Sequence, residues 1–173
     1  MNKIIKFKFF FCLLLISTLS NANTNLPFDN IYISSEPKKY DNILFEDFHG
    51  KIVNLEHQKS KIYMLNFWAT WCLPCKEEMP YLDKLQNVDG IKIFPINIEK
   101  KNKYKSEIFF KNLEIKNLSI YFDTDSKLAN LFYLRGIPTT IILNKDKKEI
   151  ARILGAADFS DQKFIDWINN VSN

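Results

Sequence analysis

The stretch Trp71-Cys72-Leu73-Pro74-Cys75 places two thiols one helical turn apart, where an apolar segment meets an amphipathic one. The residues before it, 61 to 69, are almost continuously apolar, which is typical of a strand covered on both faces of a sheet. After it, apolar residues recur at steps of three or four from Cys75 to Leu85, the period of a half-buried helix. Cys72 is therefore predicted at the N-terminus of that helix, whose solvent side carries Lys76, Glu77, Asp83 and Lys84.

A thiol at a helix N-terminus is suited to disulfide exchange. Unpaired backbone N–H groups and the positive end of the helix dipole favour the thiolate, which is the form that attacks a disulfide. Cys75, one turn further along, is placed to resolve the resulting mixed disulfide. Pro74 is tolerated in the first turn because its missing N–H has no intrahelical partner there. The pair is thus predicted to be redox-active.

Two structural roles for the pair are the alternatives. A zinc site needs four ligands, and the other soft or imidazole ligands are Cys12, His49 and His57, without finger-like spacing. We expect both histidines to be surface residues. A purely structural disulfide over so short a loop constrains little chain entropy.

The first 22 residues have the pattern of an export signal. Lys3, Lys6 and Lys8 precede an apolar run, and small residues end at Ala22, where a signal peptidase is expected to cut. An uncleaved membrane anchor is the alternative, although the run is short for a span of about 20 residues. Cleavage leaves Cys72 and Cys75 as the only cysteines, and we expect the mature chain in the periplasm.

Chain length and charge limit the number of domains and the kinds of partner. A chain of 173 residues with 46% hydrophobic residues has enough apolar side chains for one core. Residues 23 to 40 show no period and are predicted to be a flexible segment before a single domain at 41 to 173. Removing the signal turns 24 basic and 20 acidic residues into 21 and 20, so no nucleic-acid partner is expected. Lysine runs such as 100 to 103 are typical of solvated turns.

The rest of the chain alternates between strand and helix patterns, which favours a mixed α/β fold with helices on both faces of one sheet. A hairpin is predicted at 45 to 55 around a His-Gly-Lys turn, and Asp125 or Ser126 is expected to cap a helix ending near Tyr133. The other predicted elements are a strand at 91 to 98, a helix at 104 to 113, a hairpin at 139 to 154 and a helix at 161 to 171.

Two motifs resemble one family. The segment from Asn66 to Pro80, NFWATWCLPCKEEMP, and the segment Gly136-Ile137-Pro138-Thr139-Thr140 are similar to the TlpA/ResA-like branch of the thioredoxin superfamily. The resemblance spans 41 to 171. It implies a thioredoxin fold, a central mixed sheet flanked by helices, with an N-terminal β-hairpin at 45 to 55 and a central insertion near 100 to 116. It also implies an extracytoplasmic thiol:disulfide oxidoreductase.

The resemblance assigns roles to several residues. Cys72 is the attacking thiol, Cys75 the resolving thiol, and the two form the Cys72–Cys75 disulfide in the oxidised state. Pro138 is expected to be a cis-proline facing that disulfide, which leaves the backbone of Ile137 free to pair with an extended client segment. An ordinary trans proline is the alternative. Trp71 is expected to cover the sulfurs and contact the client, whereas Trp68 is expected in the core.

Asn66 stands where ordinary thioredoxins carry a buried aspartate that relays protons. An asparagine does not titrate, so Glu78 is the candidate for that task, three residues after Cys75 on the same helical face. The family often has a glutamate here. The alternative is an exposed glutamate that complements the helix dipole, as expected for Glu77.

The predicted activity is the reduction of client disulfides, because Leu73-Pro74 offers no charge or N–H donor of the kind that strong oxidants place between their cysteines. A disulfide-donating oxidase is the main alternative. The family resemblance implies a membrane thiol carrier as electron donor, and clients such as apocytochrome c or copper-centre assembly proteins. No cofactor or metal is expected, and a monomer is predicted.

Two other functional classes, peroxidases and copper carriers, match the sequence less well. A peroxiredoxin-like peroxidase needs a Pro-x-x-x-Thr-x-x-Cys context, and Thr70 is too close to Cys72 for that pattern. A copper carrier on this fold resembles C-x-x-x-C proteins with a distant histidine, and no histidine follows Ala69.

Overall fold

A computed structural model describes residues 26 to 172 of the chain. Its strands are β1 (Ile31–Lys39), β2 (Leu44–Asp47), β3 (Ile52–Asn54), β4 (Ile62–Trp68), β5 (Ile91–Asn97), β6 (Tyr121–Phe122), β7 (Thr139–Asn144) and β8 (Lys148–Leu154). Its helices are α1 (Leu73–Leu85), α2 (Lys103–Asn112), α3 (Lys127–Leu131) and α4 (Gln162–Val171), with a 3-10 turn at Leu55–His57. The predicted α/β order is confirmed.

The described strands form one mixed sheet of eight, in the order β1-β8-β7-β4-β5-β6-β2-β3. β4 lies in the middle, parallel to β5 and antiparallel to β7. The carboxyl ends of β4 and β5 and the start of β7 therefore meet at one edge of the sheet. Trp68 is opposite Asn97, and Phe67 is opposite Thr139.

Every residue of β4 is buried because both faces of the sheet are covered. Successive side chains of a strand point to opposite faces. Accordingly, Met64 and Trp68 pack in a core with apolar residues of α1, α2 and α4, whereas Leu65 and Phe67 pack in a second core with Leu128 of α3. This explains why the sequence of β4 is a continuous apolar run rather than an alternating one.

The predicted N-terminal hairpin and the helix of the central insertion are both present. β2 and β3 pair antiparallel, and β2 also pairs with β6, so the hairpin extends the sheet. Gly50 ends the turn with a φ of +97°, a conformation that glycine adopts without steric cost. α2 is attached to the core by Phe109 and Phe110, whose ring centroids lie 4.6 and 5.5 Å from that of Trp68.

The prediction of a flexible segment at 23 to 40 is wrong for residues 31 to 39. They form β1, an edge strand that pairs antiparallel with β8. Ile31 is its only fully buried residue, so the strand shows no hydrophobic period. Its order comes from backbone hydrogen bonds to β8, which leave no signature in side-chain polarity.

Two local predictions also differ from the structure. Neither Asp125 nor Ser126 caps α3, because the carboxylate of Asp123 accepts hydrogen bonds from the backbone N–H groups of Leu128 and Ala129, at 3.0 and 2.9 Å. Asp83, expected on the solvent side of α1, is buried, and its carboxylate accepts backbone N–H groups from the segment 116 to 118. The hydrogen-bond partners that decide these positions lie five and six residues away for Asp123 and 33 to 35 residues away for Asp83.

The predicted export signal at 1 to 22 lies outside the described residues. Within the part of the chain that the structure describes, no helix is long and apolar enough to cross a membrane.

Candidate functional site

The two cysteines lie where β4 passes into α1. Cys72 is the N-cap residue of α1, Pro74 lies in the first turn, and Cys75 follows inside the helix. The side chains of Cys72 and Cys75 form a disulfide, with their Cα atoms 5.3 Å apart. The backbone N–H of Cys75 also donates to Cys72 Sγ at 3.2 Å. The sulfur of Cys72 thus occupies the place of a capping oxygen, where the helix dipole and a free N–H favour negative charge.

Two large apolar side chains next to Cys72 in the sequence are exposed to solvent. Trp71 and Leu73 have 71% and 66% of their surface exposed, although both are hydrophobic. Cys72 itself is only 5% exposed. Trp68, by contrast, is fully buried against α2, as predicted. An exposed tryptophan and leucine beside a reactive sulfur form an apolar contact surface for another molecule.

Glu78 is buried one turn behind Cys75. Its carboxyl group is 1% exposed and accepts hydrogen bonds from Asn66 Nδ2 at 2.7 Å and from the backbone N–H of Ala157 at 3.2 Å. Burial raises the pKa of Glu78 from 4.5 to about 8, and these two hydrogen bonds oppose the shift only in part. The alternative of a solvent-exposed glutamate is wrong for Glu78, whereas Glu77 is exposed.

Asn66 joins three elements beneath the cysteines. Its Nδ2 donates both to Glu78 Oε1 of α1 and to Thr140 Oγ1 of β7, at 2.7 and 2.9 Å. Its Oδ1 is buried without a hydrogen-bond partner among the described residues. The amide therefore fixes the Glu78 carboxyl relative to β4 and β7.

Ile137 and Pro138 lie at the same edge of the sheet, immediately before β7. The peptide bond between them is cis, and Pro138 is buried while Ile137 is half-buried. The carbonyl oxygen of Pro138 accepts the N–H of Gly155 at 2.8 Å. The structure therefore brings the five predicted residues Cys72, Cys75, Glu78, Ile137 and Pro138 to the end of β4 and its neighbours, together with Trp71.

One contact at this edge of the sheet was not predicted from the sequence. Thr70 Oγ1 donates to the Glu99 carboxylate at 2.9 Å, and Glu99 in turn accepts from Asn97 Nδ2 at 3.4 Å. Thr70 follows β4, and Asn97 and Glu99 lie at and just after the end of β5. The carboxyl ends of parallel neighbouring strands meet at one edge of a sheet, and this rule could have predicted the contact. The contact attaches the loop before Cys72 to the end of β5.

The predicted surface histidines are both exposed. Among residues 26 to 172, no three His, Cys, Asp or Glu side chains are grouped so that they could hold a metal ion.

Comparisons with known proteins agree with this geometry. Residues 38 to 151 match the AhpC/TSA family. The chain is 30% identical over 160 residues to the thiol-disulfide oxidoreductase ResA of Bacillus subtilis, covering 91% of this chain and 87% of ResA. In all, 51 curated proteins and 393 solved chains match this chain.

Two of the solved structures have the same fold. A thiol:disulfide interchange protein of the thioredoxin family from Chlorobium tepidum superposes with a TM-score of 0.66 at 22% identity, over 81% of this chain and all but 1% of its own. A secreted thiol-disulfide isomerase from Corynebacterium glutamicum superposes with a TM-score of 0.66 at 19% identity, over 83% of this chain and 89% of its own. With its Cys72–Cys75 pair at the start of α1, the chain belongs to the AhpC/TSA family and is a thioredoxin-fold thiol-disulfide oxidoreductase of the ResA type.

Proposed function

We propose that this oxidoreductase works as a reductant of client disulfides outside the cytoplasm. The observation that carries the proposal is the buried carboxyl of Glu78, one turn behind Cys75 on the same helix. A buried carboxyl group beside the thiols offers no positive charge that would stabilise the thiolate of the reduced state, and strong oxidants of this fold depend on that stabilisation. Leu73-Pro74 adds no charge between the cysteines.

The reaction begins with the reduced protein. The Cys72 thiolate attacks one sulfur of the client disulfide, so a mixed disulfide forms and the other client sulfur leaves as a thiolate. The exposed side chain of Trp71 supplies apolar contact to the client, and the backbone of Ile137 pairs with its extended segment. Pro138 shapes the loop that presents this backbone.

Resolution of the mixed disulfide requires a base for Cys75. Glu78, in its carboxylate form, accepts the proton of the Cys75 thiol while the Cys75 sulfur attacks Cys72 Sγ. The second client sulfur leaves as a thiolate and takes a proton from water. Two electrons have then passed to the client, and the protein holds the Cys72–Cys75 disulfide with Glu78 protonated. A pKa of about 8 for Glu78 in the oxidised protein agrees with that end state at neutral pH.

Partners and location follow from the sequence and from the family. The N-terminal export pattern supports the periplasm, with a membrane anchor as the alternative if residues 1 to 22 are not removed. An oxidising space requires an electron supply, and a membrane thiol carrier fits that need. Apocytochrome c and copper-centre assembly proteins are the proposed clients, and the protein acts as a monomer.

The equilibrium potential of the Cys72/Cys75 couple tests the direction of electron flow. The mature protein is titrated against glutathione or a reference dithiol, and the fraction of free thiols is measured by alkylation. A potential near or below about −220 mV supports a reductant. A value near about −120 mV would make the protein a disulfide donor instead.

A further inference from the structure

A groove beside the disulfide has features that the proposed reaction does not use. It lies between the first turn of α1 and the inserted helix α2, with a volume of about 280 Å³. Thr70 and Lys76 line its α1 side, and Lys105, Ile108 and Phe109 line its α2 side. Thr70 is two residues from Cys72, so their Cα atoms are at most about 7.6 Å apart. A client joined to Cys72 therefore lies within reach of the groove.

The groove has fixed walls. The rings of Phe109 and Phe110 pack on Trp68, which holds α2 against the core. The hydrogen bond from Thr70 to Glu99 holds the opposite wall against the end of β5. Neither wall has to move before a client enters, so little ordering cost opposes binding.

The rim of the groove carries more positive than negative charge. Lys76 and Lys105 are exposed, and neither forms an ion pair within residues 26 to 172. None of the described lining residues is a carboxylate, and the nearby Glu99 carboxylate already accepts the Thr70 hydroxyl. Such a rim attracts a carboxylate and repels a lysine.

A second cleft has the reverse charge. It is lined by the exposed Glu77 and Asp158 and by the buried Glu78, on the side of α1 that faces the loop after β8. The two clefts therefore favour opposite charges on a client segment.

The groove floor is apolar. Phe109 is 8% exposed and Ile108 is 37% exposed, so both offer apolar surface to a bound segment. From this arrangement we infer that the α1–α2 groove is a specificity site for the client protein, which binds a segment flanking the client's cysteine through one apolar and one acidic side chain. This inference rests on the proposed reduction of client disulfides.

The test uses the reduced full-length mature protein and synthetic peptides, each with one internal Cys-x-x-Cys disulfide. One peptide carries Glu and Leu on the N-terminal flank and another carries them on the C-terminal flank. Each has a counterpart with Lys in place of Glu. The second-order rate constant of disulfide reduction is measured at low salt, with bis(2-hydroxyethyl) disulfide as an uncharged reference.

We expect one of the two acidic peptides to react about 5-fold or more faster than its lysine counterpart, and the ratio to shrink in 0.5 M salt. Lys105→Gln is expected to lower that ratio by about 1.5- to 5-fold, the range for one exposed ion pair. Lys111→Gln is the matched control, because Lys111 is exposed on α2 and does not line the groove. It is expected to leave the ratio unchanged.

The groove inference and the proposed reductase function are overturned by different outcomes. Equal rates for acidic and lysine peptides in both pairs would overturn the groove inference, and so would an equal loss of ratio in Lys105→Gln and Lys111→Gln. A protein that reduces neither the peptides nor the reference disulfide would overturn the proposed reductase function itself.

Discussion

Glu78 Oε1 accepts a 2.7 Å hydrogen bond from Asn66 Nδ2, and both side chains are almost completely buried. This buried carboxyl is more stable neutral than ionised, because its two neutral donors, Asn66 Nδ2 and the N–H of Ala157, do not replace the water lost on burial. This pair therefore couples the protonation of the site to the stability of the fold.

The stability of the oxidised protein is expected to fall as pH rises. Burial raises the pKa of Glu78 from its ordinary value of 4.5 to about 8 in the folded state, so between these values the folded state binds more protons than the unfolded state. The free energy of unfolding then decreases with pH by up to about 1.4 kcal/mol per unit, and this contribution levels off above pH 8. Urea unfolding from pH 5 to 8 measures the slope.

Glu78→Gln is expected to flatten that slope because glutamine does not titrate. Glu77→Gln, at the exposed neighbouring position, is the control and is expected to keep the wild-type slope. Parallel pH profiles for Glu78→Gln and the wild type would contradict the assignment of the slope to Glu78.

Cys75→Ser is expected to trap a mixed disulfide with the natural client through Cys72. Without the Cys75 thiol, the second attack does not occur and the intermediate accumulates. Periplasmic extracts run on non-reducing gels reveal it as a larger species that collapses on reduction. The double variant Cys72→Ser/Cys75→Ser is the control. If Cys75→Ser captures no more protein than the double variant, Cys72 is not the attacking thiol of a client reductase.

Phe109→Ala is expected to lower the free energy of unfolding by about 3 kcal/mol or more. The substitution removes a ring that is 8% exposed and lies 4.6 Å from the ring of Trp68, and it leaves a cavity between α2 and the core. Tyr104→Ala on the same helix removes a ring that is 71% exposed and is expected to cost no more than about 0.5 kcal/mol. Urea titrations followed by tryptophan fluorescence compare the two, and similar losses would show that α2 is not anchored through Phe109.

Asp83→Ala is expected to destabilise the loop after α2. The carboxylate accepts the N–H groups of Asn117 and Leu118 at 2.7 and 3.0 Å, and Asn117 Nδ2 at 3.0 Å. Removing a shared acceptor leaves these donors unpaired, which costs about 2 to 4 kcal/mol in total. Hydrogen exchange at residues 116 to 118 measures the local effect. The exposed Asp89→Ala is the control, and unchanged exchange in Asp83→Ala would refute the structural role.

The fold was largely predictable where burial leaves a periodic pattern. β4 buries both faces and α1 buries one, so a continuous apolar run identified the strand and a three- to four-residue step identified the helix. β1 was missed, since only Ile31 is fully buried and the rest of the strand is held by backbone pairing with β8. The cap of α3 was misassigned because Asp123 and the N–H groups that it accepts are five and six residues apart.

The reactive pair could be identified from local sequence. Two cysteines three residues apart at the start of a helix become neighbours through local backbone geometry alone, whatever surrounds them. The environment of that pair depends on contacts that the folded chain makes between distant segments. The partners of Glu78 are 12 and 79 residues away, and Asn66 reaches Thr140 across 74 residues. The register between strands and the packing of loops bring such groups together. Hydrophobic periodicity in a single sequence does not reveal which residues of two strands lie opposite each other.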